Sequence, residues 1–165
     1  GLSIRQESLP ANHPRLATSH NNIGLVYDHM GDYAKALQYY EKGLSIDQQS
    51  LPANHPDLAT SYNNIGGVYA HMGDYAKALQ YYEKDLSIKQ QSLPANHPDL
   101  ATSCNNIGSV YDHMGDYAKA CLFLQHSMEI GKQSLPATHP QIIVLQKNLE
   151  RVKETLLIYQ LTLED

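Results

Sequence analysis

Every 42 residues the chain returns to the tetrapeptide Ser-Leu-Pro-Ala, at Ser8, Ser50, Ser92 and Ser134. A fixed period of this length points to a solenoid, in which one small unit is copied and stacked. Residues 8–49 and 50–91 agree at 36 of 42 positions; the six differences are Arg15/Asp57, His20/Tyr62, Leu25/Gly67, Asp28/Ala70, Gly43/Asp85 and Asp47/Lys89. Residues 92–133 keep the frame and diverge in their second half. Gly1–Pro14 matches Gly43–Pro56 at 12 of 14 positions, so the chain is expected to open inside the second helix of a preceding unit. At the other end Leu135–Pro140 opens a fourth unit that then loses the Asn-Asn-Ile-Gly and Met-Gly-Asp-Tyr signatures, as a capping unit would.

Each unit reads as two helices. Pro14, Pro56, Pro98 and Pro140 suit the first helical position, and the preceding His or Asn can cap. Gly31, Gly73 and Gly115 stop the first helix, and Asp32, Asp74 and Asp116 cap the second, which runs to about Leu51 before Pro52. At about 100° per residue, Leu16, Ala17, His20, Ile23, Gly24, Tyr27 and Met30 share one arc, the expected core face. The next unit repeats it with Leu58, Ala59, Tyr62, Ile65, Gly66, Tyr69 and Met72. The opposite arc carries Thr18, Asn21, Asn22, Leu25, Asp28 and His29. The second helix has a wider apolar arc built on Tyr33, Ala36, Leu37, Tyr40 and Leu44, wide enough to touch two neighbours. Gly24 and Ala36 are small where backbones should approach closely. No single hairpin can bury such surfaces, so the hairpins must stack, with first helices lining the inner surface.

Composition narrows the function. The net charge of −5 argues against nucleic acid, whose binders carry a basic face. No apolar run is long enough for a membrane span, and no basic-then-apolar leader opens the chain. Two cysteines, Cys104 and Cys121, fall on core arcs and make no disulfide scaffold, so a cytoplasmic, reducing setting is expected. There is no glycine-rich phosphate loop and no nucleophile elbow, so no catalytic residue and no cofactor are expected, and the chain is not read as an enzyme. Histidines in adjacent units would stand a helix-packing distance apart, too far to share a metal.

The residues now in hand resemble the tetratricopeptide signature: Ile23-Gly24-x2-Tyr27, Gly31, Ala36 and Tyr40 occupy its spacing, with His20, Tyr62 and Cys104 in place of its usual Trp. The 42-residue period, with His55-Pro56-Asp57-Leu58-Ala59-Thr60 and Asn63-Asn64-Ile65-Gly66-x2-Tyr69, is similar to the kinesin light chain subfamily. The resemblance covers essentially the whole chain. It implies an all-α, right-handed tetratricopeptide superhelix, an α-solenoid of stacked helix hairpins that binds a partner protein's peptide in its concave groove. By resemblance, the second Asn of each pair holds peptide backbone: Asn22, Asn64 and Asn106, with Asn148 in the same register of the last helix. The inner arc carries almost none of the basic residues in which kinesin light chain grooves are rich.

A carboxamide can donate and accept together, so an Asn row would grip an extended peptide without dictating its sequence. The bland alternative is an Asn that only solubilises the face or bonds between helices, the role expected for Asn21, Asn63 and Asn105. Leu25, Gly67 and Ser109, like Asp28, Ala70 and Asp112, vary at equivalent inner positions, through tuning to ligand side chains or through drift. His29, His71 and His113 form an inner row that would add positive charge near pH 6.

The expected organisation is one solenoid domain over 1–165: a partial second helix at 1–9, repeats at 10–51, 52–93 and 94–135, and a capping helix at 136–165. The expected function is a scaffold-like interaction module. The alternatives are a structural or self-associating solenoid spacer with no groove ligand, which would pair between chains through Leu2, Ile4 and Leu9 or through Leu156, Leu157, Ile158, Leu161 and Leu163, and an accessory region of a larger enzyme or motor-adaptor protein.

Overall fold

The computed structural model describes residues 13–163, which hold seven α-helices and no strand. They are α1 (Pro14–His29), α2 (Tyr33–Ser50), α3 (Pro56–His71), α4 (Tyr75–Ser92), α5 (Pro98–His113), α6 (Tyr117–Ser134) and α7 (Pro140–Leu163). The half helix expected at residues 1–9, with Leu2, Ile4 and Leu9, lies outside the described residues, as does the side chain of Leu163.

The helix boundaries follow from capping chemistry. His13, His55 and His97 each cap a proline-started helix, their Nδ1 accepting the N–H of Arg15, Asp57 and Asp99. His139 does the same for Gln141. At the far end Gly31, Gly73 and Gly115 adopt φ of 74°, 77° and 78°, a left-handed turn that a side chain resists. The next residue, Asp32, Asp74 or Asp116, accepts the N–H of Lys35, Lys77 or Lys119 and so starts the second helix. The same lysines return 2.6–2.9 Å to those carboxylates and lie over Tyr27, Tyr69 and Tyr111. Those tyrosines stack in turn on Tyr39, Tyr81 and Phe123. Each hairpin is thus closed by the same five-part junction.

The chain divides into two compact units, Gly1–Ser92 and Leu93–Asp165. In the first, α1 pairs with α2 and α3 with α4, while α2 packs against α3. Ala36, Tyr40, Leu44, Leu58, Ala59, Ile65, Val68 and Ile88 form its core. Close approach is literal at Gly24 and Gly66: an added Cβ would lie 2.8 Å and 2.9 Å from the rings of Tyr40 and Tyr82. In the second unit α5 pairs with α6, α7 packs on α6, and Ala120, Leu124 and Val152 are buried together with Tyr111, Tyr117, Cys121 and Leu149 around them.

The core arc departs from expectation at its last residue. Met30, Met72 and Met114 are 71%, 51% and 49% exposed, because each is a C-cap at the mouth of the turn, past the last packed layer. Val68 and Val110 are buried although they stand outside the expected arc.

Candidate functional site

Within the first unit, α1, α2 and α3 enclose a cleft of about 310 Å³. The arc of α1 that faces away from its core contributes Thr18, Asn21, Asn22 and Leu25. The matching arc of α3 contributes Asp57, Thr60 and Asn64, and Asp47 of α2 forms the floor. Three side chains are joined in line: the Asn21 amide donates to Ser61 Oγ at 3.1 Å, and the Ser61 hydroxyl donates to Asp47 Oδ2 at 3.2 Å. Ser61 is fully buried and Asp47 is only 2% exposed. Burial pushes the Asp47 carboxyl up to about 6; the Ser61 hydrogen bond opposes this, nearby Asp57 adds to it, and His55 slightly offsets it.

Asn22, Asn64 and Leu25, all expected to face a ligand, border this one cleft. Leu25 is exposed at its edge. The other candidates have neighbours inside the chain. Asp28 is 3.0 Å from His71 Nδ1, and Asp112 is 2.6 Å from an Arg151 guanidinium nitrogen, so both carboxylates tie one first helix to the next. Asn148 donates to Asn105 Oδ1 at 2.9 Å, an inter-helix bond in place of an open groove position. His113 Nδ1 lies 2.7 Å from the Ser109 carbonyl oxygen of its own helix. His29 is exposed at the end of α1, and Asn106 and Ser109 are half-buried on α5. The physical reason for the three inter-helix pairs is register: within each unit the first helices lie side by side, so an inner side chain meets one 39–43 positions on.

The second unit has a cleft of the same size, about 310 Å³, bordered by Thr102, Asn105, Gln141, Val144 and Leu145. In repeat register Gly131 stands for Asp47 and Leu145 for Ser61, so the acid-floored chain is missing there. A larger depression of about 890 Å³ in the first unit is walled by Tyr62, Glu83, Lys84 and Gln91. It opens on the solvent side of α4, away from the Asn row, and none of the expected binding residues borders it.

Asp47, Ser61, Asp57 and Thr60 were not among the residues expected at the site. One signal does mark Asp47. Two of the six differences between the first repeats, Gly43/Asp85 and Asp47/Lys89, lie four residues apart on one helix face. In α4 the result is a buried ion pair, with Lys89 2.9 Å from fully buried Asp85.

These features define a tetratricopeptide hairpin array, and the comparison agrees: the tetratricopeptide repeat family matches residues 2–49 and 57–133, and the chain belongs to it. Among solved structures it is similar to a kinesin light chain of nearly identical TPR-like repeats from Podosopora anserina, at 22% identity and a TM-score of 0.79 over 99% of this chain and 77% of that one. It is also similar to BtubC (BKLC) from P. vanneervenii, at 21% identity and a TM-score of 0.85 over 95% of this chain and 63% of that one. The first TPR of Spaghetti (RPAP3), solved with the HSP90 peptide SRMEEVD, shares 14% identity and a TM-score of 0.64 over 87% of this chain and 95% of that one. No curated protein sequence matches the chain. Among the described residues no helix is long and apolar enough to cross a membrane.

Proposed function

We propose that the chain is a protein-interaction module that holds an extended segment of a partner across the first-helix cleft of its first unit. The observation that carries this reading is the pair Asn22 and Asn64, which border one cleft from two successive first helices. Their carboxamides have no hydrogen-bond partner among the described residues. An extended strand offers alternating N–H and C=O groups, and two carboxamides a helix spacing apart can pair with both kinds. The fold relative solved with a bound peptide, RPAP3, supports the reading by analogy only. A random-peptide display selection on the immobilised chain should yield binders. Those binders should lose most of their affinity for an Asn22→Ala/Asn64→Ala variant whose melting temperature is unchanged. Full affinity for that variant would remove the reading.

Self-association is a second reading, favoured by the last turns of α7, where Leu157, Ile158, Tyr159 and Leu161 are exposed. Under it, light scattering across a dilution series gives a mass above 18.4 kDa that falls to that value for Leu157→Glu/Leu161→Glu. A constant 18.4 kDa for the unaltered chain excludes it.

A further inference from the structure

We propose that the first-unit cleft seats a basic side chain, lysine or arginine, of the segment lying across Asn22 and Asn64; this inference rests on the peptide-holding reading. The argument begins at the floor. Asp47 is almost wholly buried, yet it borders the cleft. Its carboxylate accepts one hydrogen bond, from Ser61, and has no ion pair among the described residues. A carboxylate taken out of water needs a proton, a cation or several donors. The Asn21–Ser61–Asp47 line runs one way, amide to hydroxyl to carboxylate, so it orients the anion without neutralising it. Asp57 on the rim adds a second negative charge, and no lysine or arginine is among the lining residues.

The chain itself displays the missing partner one repeat later. Asp85, in register with Gly43, is fully buried and is met by the Lys89 ammonium, in register with Asp47. There the cation comes from the same helix. In the first unit the same two positions hold Gly43, whose place for a side chain is taken by the Asn21 carboxamide, and Asp47, an uncompensated anion. The second unit adds a control: its cleft has the same volume with Gly131 and Leu145 in place of Asp47 and Ser61. The cleft therefore forms without a buried charge, and Asp47 is an addition to it. Leu25 at the edge offers an apolar surface for the methylene stem of a long basic side chain. The charged tip would then meet Asp47 as a charge-assisted hydrogen bond.

Isothermal titration with three extended Ala/Ser peptides, identical except for lysine, norleucine or glutamate at the centre, tests this. The unaltered chain should bind the lysine peptide about tenfold more tightly than the norleucine peptide, with the glutamate peptide weakest. Asp47→Asn should erase the difference between lysine and norleucine while the protein stays folded by circular dichroism. Asp57→Asn, at the exposed rim, should give a smaller loss in the same direction. Asn22→Ala/Asn64→Ala should weaken all three peptides alike. Equal affinity for lysine and norleucine, with loss on the Asn double substitution, overturns the charge inference and leaves the peptide reading intact. Failure of every peptide to bind, together with an empty display selection, overturns both.

Discussion

At the scale of single residues, Asp47 sets a stabilising hydrogen bond against a destabilising burial. Its folded-state pKa, about 6, lies above the usual 3.8, so the native state binds the proton more tightly than the unfolded chain. The sign follows from linkage: Asp47 costs nothing below pH 3.8, and its penalty grows as pH rises from there and is complete above about 6. Asp47→Asn should therefore raise stability by about 1–2 kcal/mol at pH 8, since one pKa unit is worth ~1.4 kcal/mol and water in the cleft reduces the penalty. The gain should vanish below pH 4. Thermal melts of both proteins from pH 3.5 to 8 check this, and a variant that is less stable at pH 8 contradicts it. Tyr40 and Tyr82 illustrate the harmless form of burial, each pushed up to about 12 but neutral at any working pH. Asp47 was visible in the sequence only as one difference among six. That it faces a cleft depends on α3 lying beside α2, which no local pattern encodes. Asp28 shows the same limit: its polar arc was legible, but its pairing with His71 in the next repeat was not.

At the scale of elements, sequence and structure agree where chemistry is local. Proline starts, histidine caps, glycine stops and aspartate restarts all occur within a few residues of one another; each observed helix begins at a proline start or an aspartate restart, and α1, α3 and α5 end at the glycine stops. Two glycines of α3 and its turn separate backbone cost from steric cost. At Gly73, where φ is 77° and nothing lies within 4 Å of an added Cβ, alanine should cost about 1–2 kcal/mol, and asparagine less. At Gly66, where the added atom meets Tyr82 at 2.9 Å, alanine should cost about 1–3 kcal/mol, and asparagine more. Urea titrations of the four variants measure this; the same order of alanine and asparagine at both sites would show the account to be wrong. The methionines failed the arc argument because periodicity carries a stripe past the end of the packing, to C-caps that have no facing helix.

At the scale of the whole molecule, the period of 42 was enough to establish an all-α repeat fold, which the family match and the structural relatives bear out. The near-identity that made the fold legible made the site hard to see, since only departures from the repeat carry information about ligands. Net charge adds one expectation. With −5 on the chain and an acid-floored cleft, association with the lysine peptide should slow several-fold as salt is raised toward 0.5 M, while the norleucine peptide should be nearly indifferent. Stopped-flow rates at a series of ionic strengths decide it, and salt-independent capture of the lysine peptide would count against an electrostatic role. The self-contained hairpin junction has a genetic corollary. Residues 8–49 and 50–91 differ at six positions only, so a crossover at equivalent positions of the two would delete or duplicate one hairpin with its caps intact. What such an event changes is the pair at 43 and 47 against the pair at 85 and 89, so shorter or longer descendants would differ in their count of acidic clefts while inheriting the same architecture.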